Sequence, residues 1–202
     1  MITLTQVLAL GRTRTIYQHP SAAGWLIKIE NRHTLAAVGK VSLFLRGLMH
    51  RMFPFFSENA RELRIYKKLA SSLKGFIPEY EERLVITDKG LGLACRQVLD
   101  DNSDLSKSLG DYLRDTKASP EILAPQLEHF FQTLLLKKLY FFDFNLNNFL
   151  VQVHEGQPTL RFIDLKGYRK DRSVLPISYL SSFLAERKMK RRIARLYKRI
   201  ML

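Results

Sequence analysis

Residues 141–150 read FFDFNLNNFL, an acid and three asparagines set among six large apolar side chains. A buried strand does not carry that much amide and carboxylate, and a solvated loop does not carry that much phenylalanine. Residues 141–148 are therefore expected to form a loop that carries Asp143 and Asn148. On one side lies EILAPQLEHFFQTLLLKKLY (121–140), apolar around much of its girth and expected as a buried helix. On the other, FLVQV and TLRFIDL are expected to pair as a hairpin, turning at Gly156–Gln157–Pro158 and ending in Asp164.

The preceding hundred residues read mostly as strands. LTQVLALGRTRTIYQHP gives a strand, a turn at Gly11 and a second strand; GWLIKIE gives a third; RLVITDKGLGLACRQVL gives a hairpin turning at Asp88–Lys89–Gly90. Between them, residues 58–73 carry Leu63, Tyr66, Leu69 and Leu73 at helical spacing, with Ser57 placed to cap the start and Gly75 to end the helix. DDNSDLSKS reads as a loop and linker, SLGDYLRD as a short helix, and residues 177–202 as a long basic helix. The fold class is α+β: a small β-rich N-terminal lobe, residues 1–100, and a helical C-terminal lobe, residues 101–202.

The chain carries a net charge of +14, and the excess is local. Residues 31–57 hold four basic side chains and no acid, and residues 165–202 hold twelve basic side chains and two acids; the rest is neutral. Two basic segments of this kind imply an anionic partner at particular surfaces. The single cysteine, Cys95, forms no internal disulfide and is expected in a reducing compartment. The N-terminus lacks the features of a signal peptide and no run of about 18 uncharged apolar residues occurs, so a cytoplasmic location is expected, peripheral at the inner membrane if the basic segments dock there.

Two carboxylates and an amide, Asp143, Asn148 and Asp164, converge at one end of the hairpin. Oxygen ligands of this type suit Mg²⁺, which takes carboxylates together with substrate phosphates. Lys28 lies mid-strand in WLIKI and needs a counter-charge, which Glu62 on the following helix can supply. Taken singly each residue has a plainer reading: Asp143 and the asparagines as turn formers, Lys28 as a snorkelling strand residue, Glu62 as an exposed helix residue. The histidines show no metal-ligand spacing and no nucleophile elbow is present.

Taken in order, these residues resemble the protein-kinase-like fold. Asp143–Phe144–Asn145–Leu146–Asn147–Asn148, followed by an apolar strand, matches the spacing of a kinase catalytic loop. Asp164–Leu165–Lys166–Gly167 stands where the metal-binding Asp-Phe-Gly would be, and Lys28 and Glu62 stand where the strand lysine and its helix partner would be. More closely, LGRTRTIYQHP, LIKI, RELRIYKKL and LDDNSDLSKSLGDYL together resemble the bacterial PhoP regulatory network protein family, a kinase-like group.

The resemblance implies ATP and Mg²⁺ as cofactors and phosphoryl transfer to a hydroxyl. In it Gly11 and Arg12 contact phosphate, with Arg14 a second cation for the same task, Lys28 neutralises phosphate charge, Glu62 orients Lys28, Asn148 and Asp164 hold metal, and Asp143 serves the acceptor hydroxyl. Phe141 and Phe142 replace the usual His-Arg; Ala9 in place of a first loop glycine and Asn145 in place of a lysine keep open the alternative of a catalytically weak pseudokinase that binds nucleotide or acts as a scaffold. Only 38 residues follow Asp164, leaving no room for peptide-docking helices, so a non-protein acceptor is expected. A lipid-linked sugar such as the lipopolysaccharide core would suit the basic amphipathic segments at 35–56 and 177–202. A nucleic-acid-binding module using the terminal helix ranks third, since no stacking platform accompanies it.

Overall fold

A computed structural model of the chain describes residues 1–11, 13–31, 57–116, 120–168 and 178–200, with side chains described at all of these except 178–181. Arg12 and the basic amphipathic stretch 32–56 lie outside the described residues, as does the expected amphipathic helix within it. The chain divides into two units, Met1–Ala70 with Glu79–Gln97, and Ser71–Pro78 with Val98–Leu202.

The first unit is a five-stranded sheet with a helix. The strands are β1 (Val7–Leu10), β2 (Arg14–Gln18), β3 (Trp25–Glu30), β4 (Val85–Thr87) and β5 (Gly90–Arg96), in the order β1-β2-β3-β5-β4 with every neighbour antiparallel. Period-two alternation sorts the side chains. Ile27, Ile29 and Ala94 lie on one face and bury against Leu4, while Lys28 and its cross-strand neighbour Leu93 lie on the other. Helix α1 (Glu58–Leu69) packs on β3 and β5 and is capped as its sequence predicts, the Ser57 hydroxyl accepting from the Ala60 amide at 3.1 Å. The helix stops at Leu69 rather than running on to Gly75. Ser71 and Ser72 follow, residues whose hydroxyls compete for backbone partners and weaken a helix. The β4–β5 turn is two residues, Asp88 and Lys89, with Gly90 at φ 115° already paired to Thr87.

The second unit holds a three-stranded sheet, β6 (Lys107–Ser108), β7 (Phe149–His154) and β8 (Gln157–Phe162), with helices α2 (Leu109–Thr116), α3 (Ala124–Leu136) and α4 (Ser178–Ile200). The β7–β8 turn falls at Glu155–Gly156, both at positive φ, one residue before the expected place. Pro158 then sits inside β8, opposite Val153. It is tolerated there because β8 is an edge strand. The Gln126 amide of α3 covers that edge, donating to the Pro158 carbonyl and accepting from the Leu160 amide, each at 2.8 Å. The stretch expected as a linker is tied down: Asp100 Oδ1 accepts from the Ser106 hydroxyl at 2.6 Å and from the Val153 amide at 2.9 Å.

Phenylalanines form the centre of this unit. Phe130 of α3 lies 5.7 Å from Phe149 and 5.2 Å from Phe162, ring centre to ring centre; Phe141 stands at right angles to Phe162 at 5.5 Å, and Phe131 meets Phe144 at 5.0 Å. Edge-to-face and tilted pairs of this kind add to the burial of each ring. Phe141, Phe144 and Phe149 are all buried while Asp143 between them is exposed. The phenylalanines of the 141–150 stretch anchor the loop, and its acid is left in solvent.

Candidate functional site

Within the first unit a buried ionic cluster gathers on the Lys28 face of the sheet. The Lys28 ammonium lies 2.9 Å from Glu62 Oε1, and the Tyr80 hydroxyl donates to the same oxygen at 2.7 Å. The other Glu62 oxygen accepts from the Arg14 guanidinium, whose Nε also lies 3.5 Å from Glu58. Glu62 has no exposed surface, and Lys28 and Arg14 are nearly as buried. The Lys28 ammonium also sits over the Tyr80 ring, 5.2 Å from its centre.

The pairing answers the cost of burial. Burial alone would push the Glu62 pKa up, but Lys28 and Arg14 reverse it and hold the carboxyl down at about 2. Burial likewise works against the Lys28 ammonium, and the Glu62 carboxylate overcomes it, leaving the lysine above its ordinary value. Tyr80 is raised well above its ordinary value, first by burial and then by Glu62. Burial pushes the Cys95 thiol up to about 11, so it is a packed and unreactive side chain.

The helix is held in register over the strand by side chains that the sequence alone did not single out. Asn59 donates to the Lys28 carbonyl at 2.9 Å, and Glu30 accepts from the Ser57 hydroxyl at 2.6 Å and the Asn59 amide at 2.7 Å. Glu30 thus places a carboxylate on the helix N-terminus, where the unsatisfied amides favour negative charge. Arg14 belongs to the same face as Lys28, because Arg14 pairs with Glu30 and Ile16 with Lys28 across β2 and β3. That alternation was the available signal for Arg14, and its guanidinium goes to Glu62 and Glu58. Gly11 has a structural reason of its own: its amide donates to the Arg14 carbonyl at 2.8 Å, and a Cβ there would stand 2.9 Å from that oxygen.

Within the second unit, Asp143, Asn148 and Asp164 are brought together by the β7–β8 hairpin and the loops at its end. The Ile163 amide donates to the Asn148 carbonyl at 2.9 Å, which sets Asp164 one residue from Asn148's cross-strand partner. The Asn148 side-chain amide donates to the Asp143 carbonyl at 3.0 Å. Asn145 is a turn former, its oxygen accepting from the Asn147 amide at 2.8 Å at the start of a 3-10 turn over Leu146–Asn148. Asp164 accepts from the Lys166 amide at 3.0 Å at the start of a second 3-10 turn, Leu165–Gly167, and the Lys166 ammonium lies 3.7 Å from Asp164 Oδ2. Gly167 lies against the loop: its carbonyl accepts from the Phe142 amide at 3.3 Å, and a Cβ on it would stand 3.1 Å from the Asp143 Cβ.

Among the described residues no group of three or more His, Cys, Asp or Glu side chains comes together as a metal centre. The hairpin offers a different donor set, one carboxylate and one amide oxygen. With its NH₂ committed to the Asp143 carbonyl, Asn148 presents Oδ1 as its remaining coordinating atom. Asp164 already holds one cation, the Lys166 ammonium. Such a set fits Mg²⁺, which takes one or two protein oxygens and completes its shell with water and phosphate.

A β-rich N-terminal region followed by a helical C-terminal region is broadly the arrangement of kinase-like proteins, and the strand lysine paired to a helix glutamate occurs here inside the first of them. The family model described as PhoP regulatory network protein YrbL matches residues 2–201. The chain belongs to that family, a bacterial group with a kinase-like fold. No curated protein matches the chain.

Proposed function

We propose that this chain is a kinase-like regulator that binds nucleotide and turns it over weakly. The observation that carries the reading is the buried Lys28–Glu62 pair. A lysine kept charged and fixed by a helix carboxylate is the element that a kinase-like site uses to neutralise nucleotide phosphates. Two features support weak turnover. Asn145 is committed to a backbone turn and brings no positive charge beside Asp143, and Lys166 stands on the Asp164 carboxylate. Mg²⁺, when bound by Asp164 and Asn148, would supply charge neutralisation at the phosphates. Family membership supports the regulatory role.

The second reading is phosphoryl transfer to the hydroxyl of a non-protein acceptor, such as a lipid-linked sugar. The exposure of Asp143 and the anchoring of Asn148 to its carbonyl favour it, since a carboxylate on a fixed backbone can orient an incoming hydroxyl.

Calorimetric titration with ATP, together with single-turnover release of the γ-phosphate, tests both. The regulator reading expects binding that Lys28→Met abolishes in a folded protein, and slow phosphate release that an added hydroxyl acceptor does not accelerate. Rapid release that an acceptor accelerates and Asp164→Ala removes supports the transferase. Absence of nucleotide binding in the wild type, with and without Mg²⁺, overturns both.

A further inference from the structure

The apolar side of α4 is packed inward. Met189, Leu196 and Ile200 are buried, and the Tyr197 ring lies 6.0 Å from Phe131. A helix held this way does not offer its apolar stripe to a bilayer. What it offers is the opposite side.

Arg187, Arg191, Arg192, Arg195, Lys198 and Arg199 are all exposed. At about 100° per residue they fall within roughly 140° of the helix circumference, on the side away from Met189, Leu196 and Ile200, and run roughly 18 Å along the axis; Lys188 lies in the same arc, its ammonium 5.1 Å above the Phe142 ring. The acid of this helix, Glu186, lies outside that band and is engaged by Lys190 at 2.6 Å. One turn before Arg187, Phe183 and Leu184 are exposed at 63% and 53%. Leu184 falls inside the cationic band and Phe183 roughly 40° beyond its edge.

An acid-free cationic band with large apolar side chains at one end is suited to a surface that is anionic outside and apolar beneath. We infer that α4 docks the protein on an anionic phospholipid surface, with the arginine band on the headgroups and Phe183 and Leu184 entering the boundary with the acyl chains. A nucleic-acid duplex would use the cations and leave the apolar pair without a role, so the pair decides between the two. Each cation held near an anionic leaflet contributes a few-fold in affinity, and the contribution weakens with salt.

The test is sedimentation of the full chain with phosphatidylcholine vesicles, with and without 30 mol% phosphatidylglycerol (about that fraction gives a strongly negative surface), beside a fluorescence assay with a random-sequence DNA duplex. Wild type is expected to bind the anionic vesicles, to ignore the neutral ones and to dissociate as salt is raised. Arg191→Glu with Arg195→Glu is expected to reduce vesicle binding at least about tenfold. Phe183→Ser with Leu184→Ser is expected to reduce vesicle binding while leaving duplex binding unchanged; circular dichroism checks that each variant stays folded. Equal binding to neutral vesicles, indifference to the charge reversal or to the Phe183/Leu184 change, or a duplex preferred over anionic vesicles at matched salt would each overturn the inference. None of these outcomes depends on nucleotide, so the regulator reading stands or falls separately.

Discussion

The Lys28 ammonium and the Glu62 carboxylate meet at 2.9 Å with both side chains buried, yet the pair is not symmetric. Glu62 is also bound by Tyr80 and Arg14, so it is the hub, and Lys28 is one of three groups converging on it. Removing the hub leaves two buried cations facing each other. Glu62→Gln is expected to destabilise the fold by about 3–5 kcal/mol, the range for breaking a buried pair. Lys28→Met leaves the carboxylate with Arg14 and Tyr80 and is expected to cost less, about 1–3 kcal/mol. Urea unfolding of the two variants checks the order, and equal losses would show that Arg14 does not hold Glu62 in solution.

The same carboxylate sets an acid limit. Its folded pKa, about 2, lies below the ordinary value of 4.5, so its ionised form binds the cations and stabilises the fold. That contribution is complete above about pH 4.5 and is lost as pH falls through the window down to about 2. The Lys28 pKa is raised, so its share is complete below the ordinary lysine value and is lost only as alkali titrates the raised group. Stability measured by chemical unfolding is therefore expected to decline between about pH 4.5 and 2 in wild type. The decline is expected to be shallower in Glu62→Gln, which has no carboxyl to protonate.

How far the sequence reached can be argued from these residues. Lys28 was legible because it breaks a pattern, a charge inside an apolar strand, and Glu62 as the helix counter-charge that such a lysine needs. Asp143, Asn148 and Asp164 were legible through spacing along the chain. The roles of Arg14, Tyr80, Glu30 and Asn59 were not, because they depend on which strands pair and in what register; Arg14, expected on phosphate, goes to Glu62. Arg14 reaches Glu62 only because β2 pairs with β3 so as to put residues 14 and 28 on one face. Helix ends and turns shifted by a few residues: α1 ends at Leu69, just before Ser71 and Ser72, and Glu155–Gly156 made the turn in place of Gly156–Gln157–Pro158.

A divalent ion bound as proposed would compete with Lys166 for the Asp164 carboxylate. The ammonium, 3.7 Å from Asp164 Oδ2, is only partly shielded from water. Its removal is expected to strengthen divalent-ion binding on the order of five- to tenfold, the Coulomb energy of such a pair in a largely aqueous setting. Titration of Lys166→Ala with Mn²⁺, followed by the loss of the free ion's electron paramagnetic resonance signal, measures it. Lys166→Arg keeps the charge and is expected to bind as wild type does. No difference between Lys166→Ala and wild type would mean that Asp164 is not where the ion binds.

Asn145 gives the sharpest separation between a structural and a chemical role. Its side-chain oxygen accepts from the Asn147 amide and starts the 3-10 turn that carries Asn148 back toward Asp143. Aspartate supplies the same acceptor, and alanine supplies none. Asn145→Ala is expected to destabilise by about 1 kcal/mol, typical of losing such a cap, and to speed hydrogen exchange at the Asn147 amide, while Asn145→Asp protects that amide as well as wild type. The turn also fixes where Asn148 points. Asn145→Ala is therefore expected to weaken Mn²⁺ binding even in the Lys166→Ala background, and unchanged binding there would detach the Asn148 oxygen from the metal.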